Sequence, residues 1–239
     1  MIRNRIHVRR AIVQFIGLAL CAGLLAFASA RQTSKPNREL LLNPDAPQWK
    51  RPAPDMFRVR FETTKGPIVI EVHRDWSPNG ADHFYNLARF GYYDDIRFFR
   101  VEKGRWAQFG INGDPAISAV WRNRTIPDDP RRVSNTLGTI DYAFAVPNGR
   151  TTQLFINLRD NSATHDPGNF VPFGKVIEGM NAALELNGEY GERAGSGIRA
   201  GHQDLLFNKG NAWLDANFPR LDKLIRATVL SDRPDSNGS

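Results

Sequence analysis

Arg100 and Gln108 stand in a stretch, residues 97–110 (RFFRVEKGRWAQFG), whose other positions read as a buried β-hairpin. A guanidinium inside such a run is costly unless something uses its charge. Arginine stays protonated and holds its donors on a rigid fork, so it can stabilise charge that develops during a reaction without forming a bond itself. Residues eight apart in a strand share a face, and the turn at Glu102-Lys103-Gly104 must return Gln108 beside Arg100 for both to meet one groove. In an arbitrary chain, a surface arginine paired with an acid accounts for such a residue.

Other chemistries find little support. His73, His83, His165 and His202 lack the spacing of a metal site, so neither a metal nor a cofactor is expected. There is no G-x-S-x-G elbow, and the pairs Asp94-Asp95 and Asp128-Asp129 sit in turn-like, solvated stretches. Asn123-Arg124-Thr125 would accept a glycan only on a eukaryotic secretory route.

The N-terminus explains the rest of the charge. Residues 1–10 carry Arg3, Arg5, Arg9 and Arg10 with no acid; an apolar run over 15–28 follows, ending at Ala28-Ser29-Ala30. That order is a secretory signal, expected over 1–30 and cut after Ala30. The alternative is an uncleaved membrane anchor, since counting back to Ala11 lengthens the run toward the roughly 18–20 residues a bilayer needs. Cleavage removes Cys21, the one cysteine, and with it any disulfide or thiolate chemistry. It also lowers the formal charge from +7 to +3 by taking the four leader arginines. No compact Lys/Arg patch interleaved with aromatics argues for nucleic acid. A bacterial periplasm is the simplest destination, with no membrane contact in the mature form unless the leader is kept.

The elements that must position Arg100 can be read in order. Residues 31–55 hold Pro36, Pro44, Pro47, Pro52 and Pro54 and are expected as a linker, interrupted by Leu40-Leu41-Leu42 and Trp49. A single domain is expected over 56–230. FRVRF alternates at period two from Phe57, turns at Thr64-Lys65-Gly66 and continues as PIVIEV, a hairpin. Residues 78–91 have helical spacing with Gly91 as a stop. Strands are expected at 96–101, 106–109, 139–145, 153–157, 173–176 and 225–230, and a helix at 180–186. Residues 111–135 read as a long surface loop anchored by Trp121, residues 187–211 as loop, 212–218 as a short extra helix and 231–239 as a disordered tail.

Three blocks in this order, RFFRVEKGRWAQFG, GTIDYAFAVPNGRTTQLFINL from Gly138 and FGKVIEGM from Phe173, resemble the cyclophilin-type peptidyl-prolyl isomerases, in a divergent bacterial form. The resemblance covers about 57–187 plus the last strand. It implies a mainly β fold, a closed antiparallel barrel capped by two helices, and proline-containing polypeptides as partners of a monomeric enzyme. It also implies Arg100 as the catalytic residue. Gln108 would bind the substrate backbone and orient Arg100, Phe155 would floor the proline pocket, and Ala143 and Phe144 would line the groove by their backbones. Gln153 would hold the edge beside them.

The sequence departs from the family where an aromatic and a methionine precede the glutamine, with Arg105-Trp106 here, so Trp106 would have to supply the wall. Phe170 replaces the histidine that usually closes the pocket. His165 lies in the segment where many eukaryotic members carry the tryptophan used by cyclosporin, which makes tight cyclosporin binding doubtful. Three functions fit: an isomerase assisting the folding of exported proteins, a proline-peptide binding module that isomerises poorly, or an envelope scaffold acting through its arm and long loop.

Overall fold

The computed structural model describes residues 38–191 and 203–230. The expected leader, the first part of the linker and the expected disordered tail at 231–239 fall outside the described residues.

Residues 38–55, the described part of the expected linker, pack against the domain through Leu41 and Trp49, two of the apolar residues that interrupt it. Helix α1 (Arg38–Leu41) buries Leu41 completely, and the Leu41 carbonyl accepts from the Trp121 indole at 2.8 Å. A 3-10 turn over Pro47–Lys50 presents Trp49 edge-on to Phe90 and Trp121, at ring distances of 5.1 and 4.7 Å. The prolines here fix backbone angles for docking, with Pro47 opening the 3-10 turn.

Strands β1 (Met56–Thr63) and β2 (Gly66–His73) pair as the alternation requires. Phe57, Val59 and Phe61 point inward, while Arg58 outside donates to Glu71 across the ladder. Helix α2 (Pro78–Arg89) buries Ala81, Phe84, Leu87 and Ala88 and ends before Gly91, whose φ of 77° suits a residue without Cβ.

The expected strand at 96–101 is instead two, β3 (Ile96–Arg97) and β4 (Arg100–Glu102). Phe98 and Phe99 are both buried, and neighbouring strand residues cannot both face one core. Phe98 packs on Phe109 at 5.0 Å, and Phe99 joins a separate cluster with Ile111, Leu206, Phe207, Leu214 and Leu221. The chain breaks its ladder between them. Strand β5 (Trp106–Phe109) returns along β4.

The long loop at 111–135 contains helix α3 (Pro115–Trp121), which the surface-loop expectation missed; the Asp114 carboxylate caps it by accepting from Ala116 N at 2.9 Å. Strands β6 (Thr139–Tyr142) and β7 (Leu154–Asn157) form the next pair. Helix α4 (Ser162–His165), strand β8 (Gly174–Glu178) and helix α5 (Met180–Leu184) follow.

Helix α6 (Asp204–Asn217) contains most of the expected short helix at 212–218 and extends it back over 204–211, where a loop was expected. It is two helical pieces joined at Gly210, with φ 57° and ψ −148°. Strand β9 (Lys223–Leu230) ends the described chain.

The described strands form one nine-stranded sheet in the order β3-β9-β1-β2-β8-β6-β7-β5-β4, every pair antiparallel. The mainly β, antiparallel expectation agrees with this curled sheet. The edges β3 and β4 are consecutive in the chain and are linked through Phe98-Phe99 with no ladder between them, so the sheet is curled and the fully closed barrel of the expectation is not formed by strand pairing. The core inside holds Phe57, Phe61, Phe84, Tyr93, Phe109 and Phe173.

Candidate active site

Arg100 and Gln108 are direct partners in the β4–β5 register, and Arg100 Nη1 donates to Gln108 Oε1 at 2.9 Å. Gln108 is buried and pairs on its other side with Phe155 of β7. Strand pairing therefore sets three of the expected residues side by side, with no loop needed to position them. The Gln108 amide then donates to Gln153 Oε1 at 3.0 Å.

The residues singled out from the sequence, Arg100, Trp106, Gln108, Ala143, Phe144, Phe155 and Phe170, line one groove of about 470 Å³ together with Gln153. That is within the range for a small-ligand site, roughly 300–1,000 Å³. One end is an aromatic box. Phe155 lies edge-on to His165 and Phe170, at 5.2 and 5.4 Å; Phe170 contacts Phe144 at 4.7 Å, and Trp106 contacts His165 at 5.5 Å. The Arg105 guanidinium lies 4.3 Å from the Trp106 ring centroid and that of Arg100 5.3 Å, so both cations lie against the Trp106 ring.

The loop that carries His165 and Phe170 is held by buried amides. Asn161 donates to the Arg105 carbonyl and to Asn157 Oδ1, both at 2.7 Å. Asn135 donates to Asp166 Oδ1 at 2.8 Å and to the Phe170 carbonyl at 3.1 Å. Arg150, almost fully buried, pairs with Asp128, donates to the Asn169 carbonyl at 2.9 Å and lies against the Phe144 ring at 4.8 Å. Burial, followed by the nearby Arg105 charge, lowers the His165 pKa below the usual histidine value, which favours a neutral, ring-like wall. Trp106 Nε1 and His165 Nδ1 are buried with no hydrogen-bond partner among the described residues.

The opposite end is lined by Arg122, Asn123, Thr151, Gln153, Gln203 and Phe207. Sequence reasoning missed Arg122, Gln203 and Phe207, which had been assigned to loops. Arg122 lies over the Phe207 ring at 4.5 Å and pairs with Asp204. Among the described residues no group of three or more His, Cys, Asp or Glu side chains is placed to hold a metal ion.

Comparison with known proteins follows the same lines. The family model described as "Cyclophilin type peptidyl-prolyl cis-trans isomerase/CLD" matches residues 58–196, and the chain belongs to this family. It is 29% identical over 182 residues to peptidyl-prolyl cis-trans isomerase B of Escherichia coli, covering 73% of this chain and 99% of that one. It is 28% identical over 161 residues to peptidyl-prolyl cis-trans isomerase cyp18 of Streptomyces antibioticus, covering 63% and 92%. A cyclophilin-type isomerase of Cryptosporidium parvum superposes with a TM-score of 0.54 at 19% identity, over 74% of this chain and 99% of that one. The same protein crystallised in the presence of the dipeptide Ala-Pro gives 0.52 at 20%, over 73% and 99%; both likenesses are of fold.

Proposed function

We propose that this chain catalyses cis-trans isomerisation of Xaa-Pro bonds in exported polypeptides and so assists their folding. The observation that carries the reading is the pairing of Arg100 with Gln108 at the edge of an aromatic box. Isomerisation breaks no bond; it must overcome a rotational barrier of about 18–20 kcal/mol that comes from amide resonance. Twisting the bond ends that resonance and leaves a basic, pyramidal proline nitrogen. A guanidinium fixed to donate toward that nitrogen stabilises the twisted state more than either planar state.

Each groove residue has a part in that step. Phe155, Phe170 and Trp106 accept the pyrrolidine ring and shed water from the imide. Ala143 and Phe144 offer backbone groups to the peptide, and Gln108 holds the Arg100 fork in place while contacting the substrate backbone. The likeness to a protein crystallised with Ala-Pro supports a proline-containing peptide as the occupant.

Export rests on the basic, apolar and small-residue order of residues 1–30; the mass of the mature chain recovered from cells tests it, with cleavage after Ala30 expected. Exchange NMR on an Xaa-Pro peptide tests the activity. Saturable binding without faster exchange would favour a recognition module, a reading supported by the Arg105-Trp106 wall and by Phe170.

A further inference from the structure

We propose that Gln203, at the start of α6, is a positioning residue that locks a row of glutamine amides and through it the orientation of Arg100. The proposal rests on the isomerase reading above and adds to it a residue outside the segment matched by the family model, 58–196.

The row runs from Arg100 Nη1 to Gln108 Oε1 at 2.9 Å, then from Gln108 Nε2 to Gln153 Oε1 at 3.0 Å. It ends in a reciprocal amide pair: Gln153 Nε2 donates to Gln203 Oε1 at 2.8 Å, and Gln203 Nε2 donates back to Gln153 Oε1 at 3.0 Å. Gln108 and Gln203 are 5% and 7% exposed, so water competes little for these bonds and each carries more weight than it would at the surface.

The direction of the row follows from its first member. A guanidinium has donors and no acceptor, so Gln108 must turn its oxygen to Arg100 and its amide away. Gln153 must then meet that amide with its own oxygen, which points its NH2 group at position 203. Only an acceptor there satisfies it. With no amide there, Gln153 loses both bonds that hold its amide plane, and the oxygen that meets Gln108 is no longer fixed in place. Gln108 then holds its amide plane, and with it the Arg100 fork, by one firm bond instead of two. Gln203 is the far lock on a chain whose other end is the guanidinium.

Helix α6 is built to hold that lock still. Leu206, Phe207 and Leu214 pack on Phe99, the residue before Arg100, and on Ile111. Arg97, on the other side of Phe98-Phe99, takes Asp215 of α6 in a two-bond pair at 2.9 and 2.7 Å. The helix is thus tied to both residues that flank Phe98 on the approach to Arg100, Arg97 by charge and Phe99 by packing.

The test compares the full chain with Gln203→Met, which keeps length and shape but removes both amide bonds to Gln153. Exchange rates of an Xaa-Pro peptide are measured against peptide concentration. We expect Gln203→Met to lower kcat about fivefold, the worth of one net hydrogen bond, with KM and thermal stability little changed. In a Gln108→Ala background Gln203→Met should have no further effect, since the row is already cut. A raised KM at unchanged kcat, the same fivefold loss in the Gln108→Ala background, or full activity of Gln203→Met would overturn the proposal. The side-chain amide NMR signals of Gln108 give a readout apart from turnover. They should shift in Gln203→Met although Gln153 lies between, and unshifted signals would overturn the relay. A wild-type protein that does not speed exchange yet shows this shift would sink the isomerase reading alone.

Discussion

Arg97 and Asp215 join the first edge strand of the sheet to α6 through two parallel N–H···O bonds, with Arg97 3% exposed. Arg97 also donates to the Asp95 carboxylate at 2.8 Å, whereas three residues later Arg100 donates to a neutral amide. The two arginines thus divide the work across Phe98-Phe99: one fixes the helix by charge, and the other presents its fork to the groove.

The helix depends on Gly210. Its φ of 57° and ψ of −148° lie in a region open essentially to glycine, and a Cβ there would collide with the Gly113 carbonyl, which accepts from Asn211 N at 3.0 Å. Gly210→Ala should cost about 1–3 kcal/mol in urea unfolding and lower kcat as well, because α6 carries Gln203 and Phe207. An unchanged unfolding midpoint would refute this account of the kink.

Trp106 should report on the groove. Its ring meets the guanidinium groups of Arg100 and Arg105 and touches His165, so a proline peptide in the box must alter its surroundings. Tryptophan fluorescence is expected to change saturably with peptide and to respond much less in Trp106→Phe. Saturable binding by another method with a silent Trp106 would place the peptide elsewhere.

Asp94 gives stability a pH dependence of known sign. Burial pushes its pKa up to about 6, against the opposing effect of the Ala227 N–H, which donates to it at 3.0 Å. An unfolded aspartate titrates near ~3.9, so between roughly pH 4 and 6 the folded protein binds the extra proton. Stability from this group is therefore full below that window and is lost as pH rises through it. Asp94→Asn keeps the acceptor oxygen and never ionises. Measured in urea at pH 4 and pH 7, it should gain on the wild type with rising pH; a constant difference would argue against burial as the cause.

The candidate site residues were legible through the family resemblance, and local strand physics accounts for how some of them meet. The eight-residue spacing of Arg100 and Gln108 around Lys103-Gly104 predicts a facing pair, and they are register partners. The period-two runs in β1 and β2 were equally plain. Phe98-Phe99 held a signal that went unused, since two adjacent large apolar residues contradict one continuous strand facing a single core. Helix α6 was hidden by Gly210 and the polar Asn208, Lys209 and Asn211; its stability comes from Phe99 and Ile111, far away in sequence. Gln203 carried no local signal at all, because its meaning lies in Gln153, fifty residues earlier.

The most direct test of the central claim is the exchange rate of an Xaa-Pro peptide with the wild-type protein and with Arg100→Ala, compared at equal folded concentration. We expect the wild type to accelerate exchange and the substitution to cut turnover at least tenfold, about 1.4 kcal/mol of transition-state stabilisation, with thermal stability nearly unchanged. Equal rates from the two proteins, or a loss that tracks unfolding of the variant, would contradict Arg100 as the electrostatic catalyst.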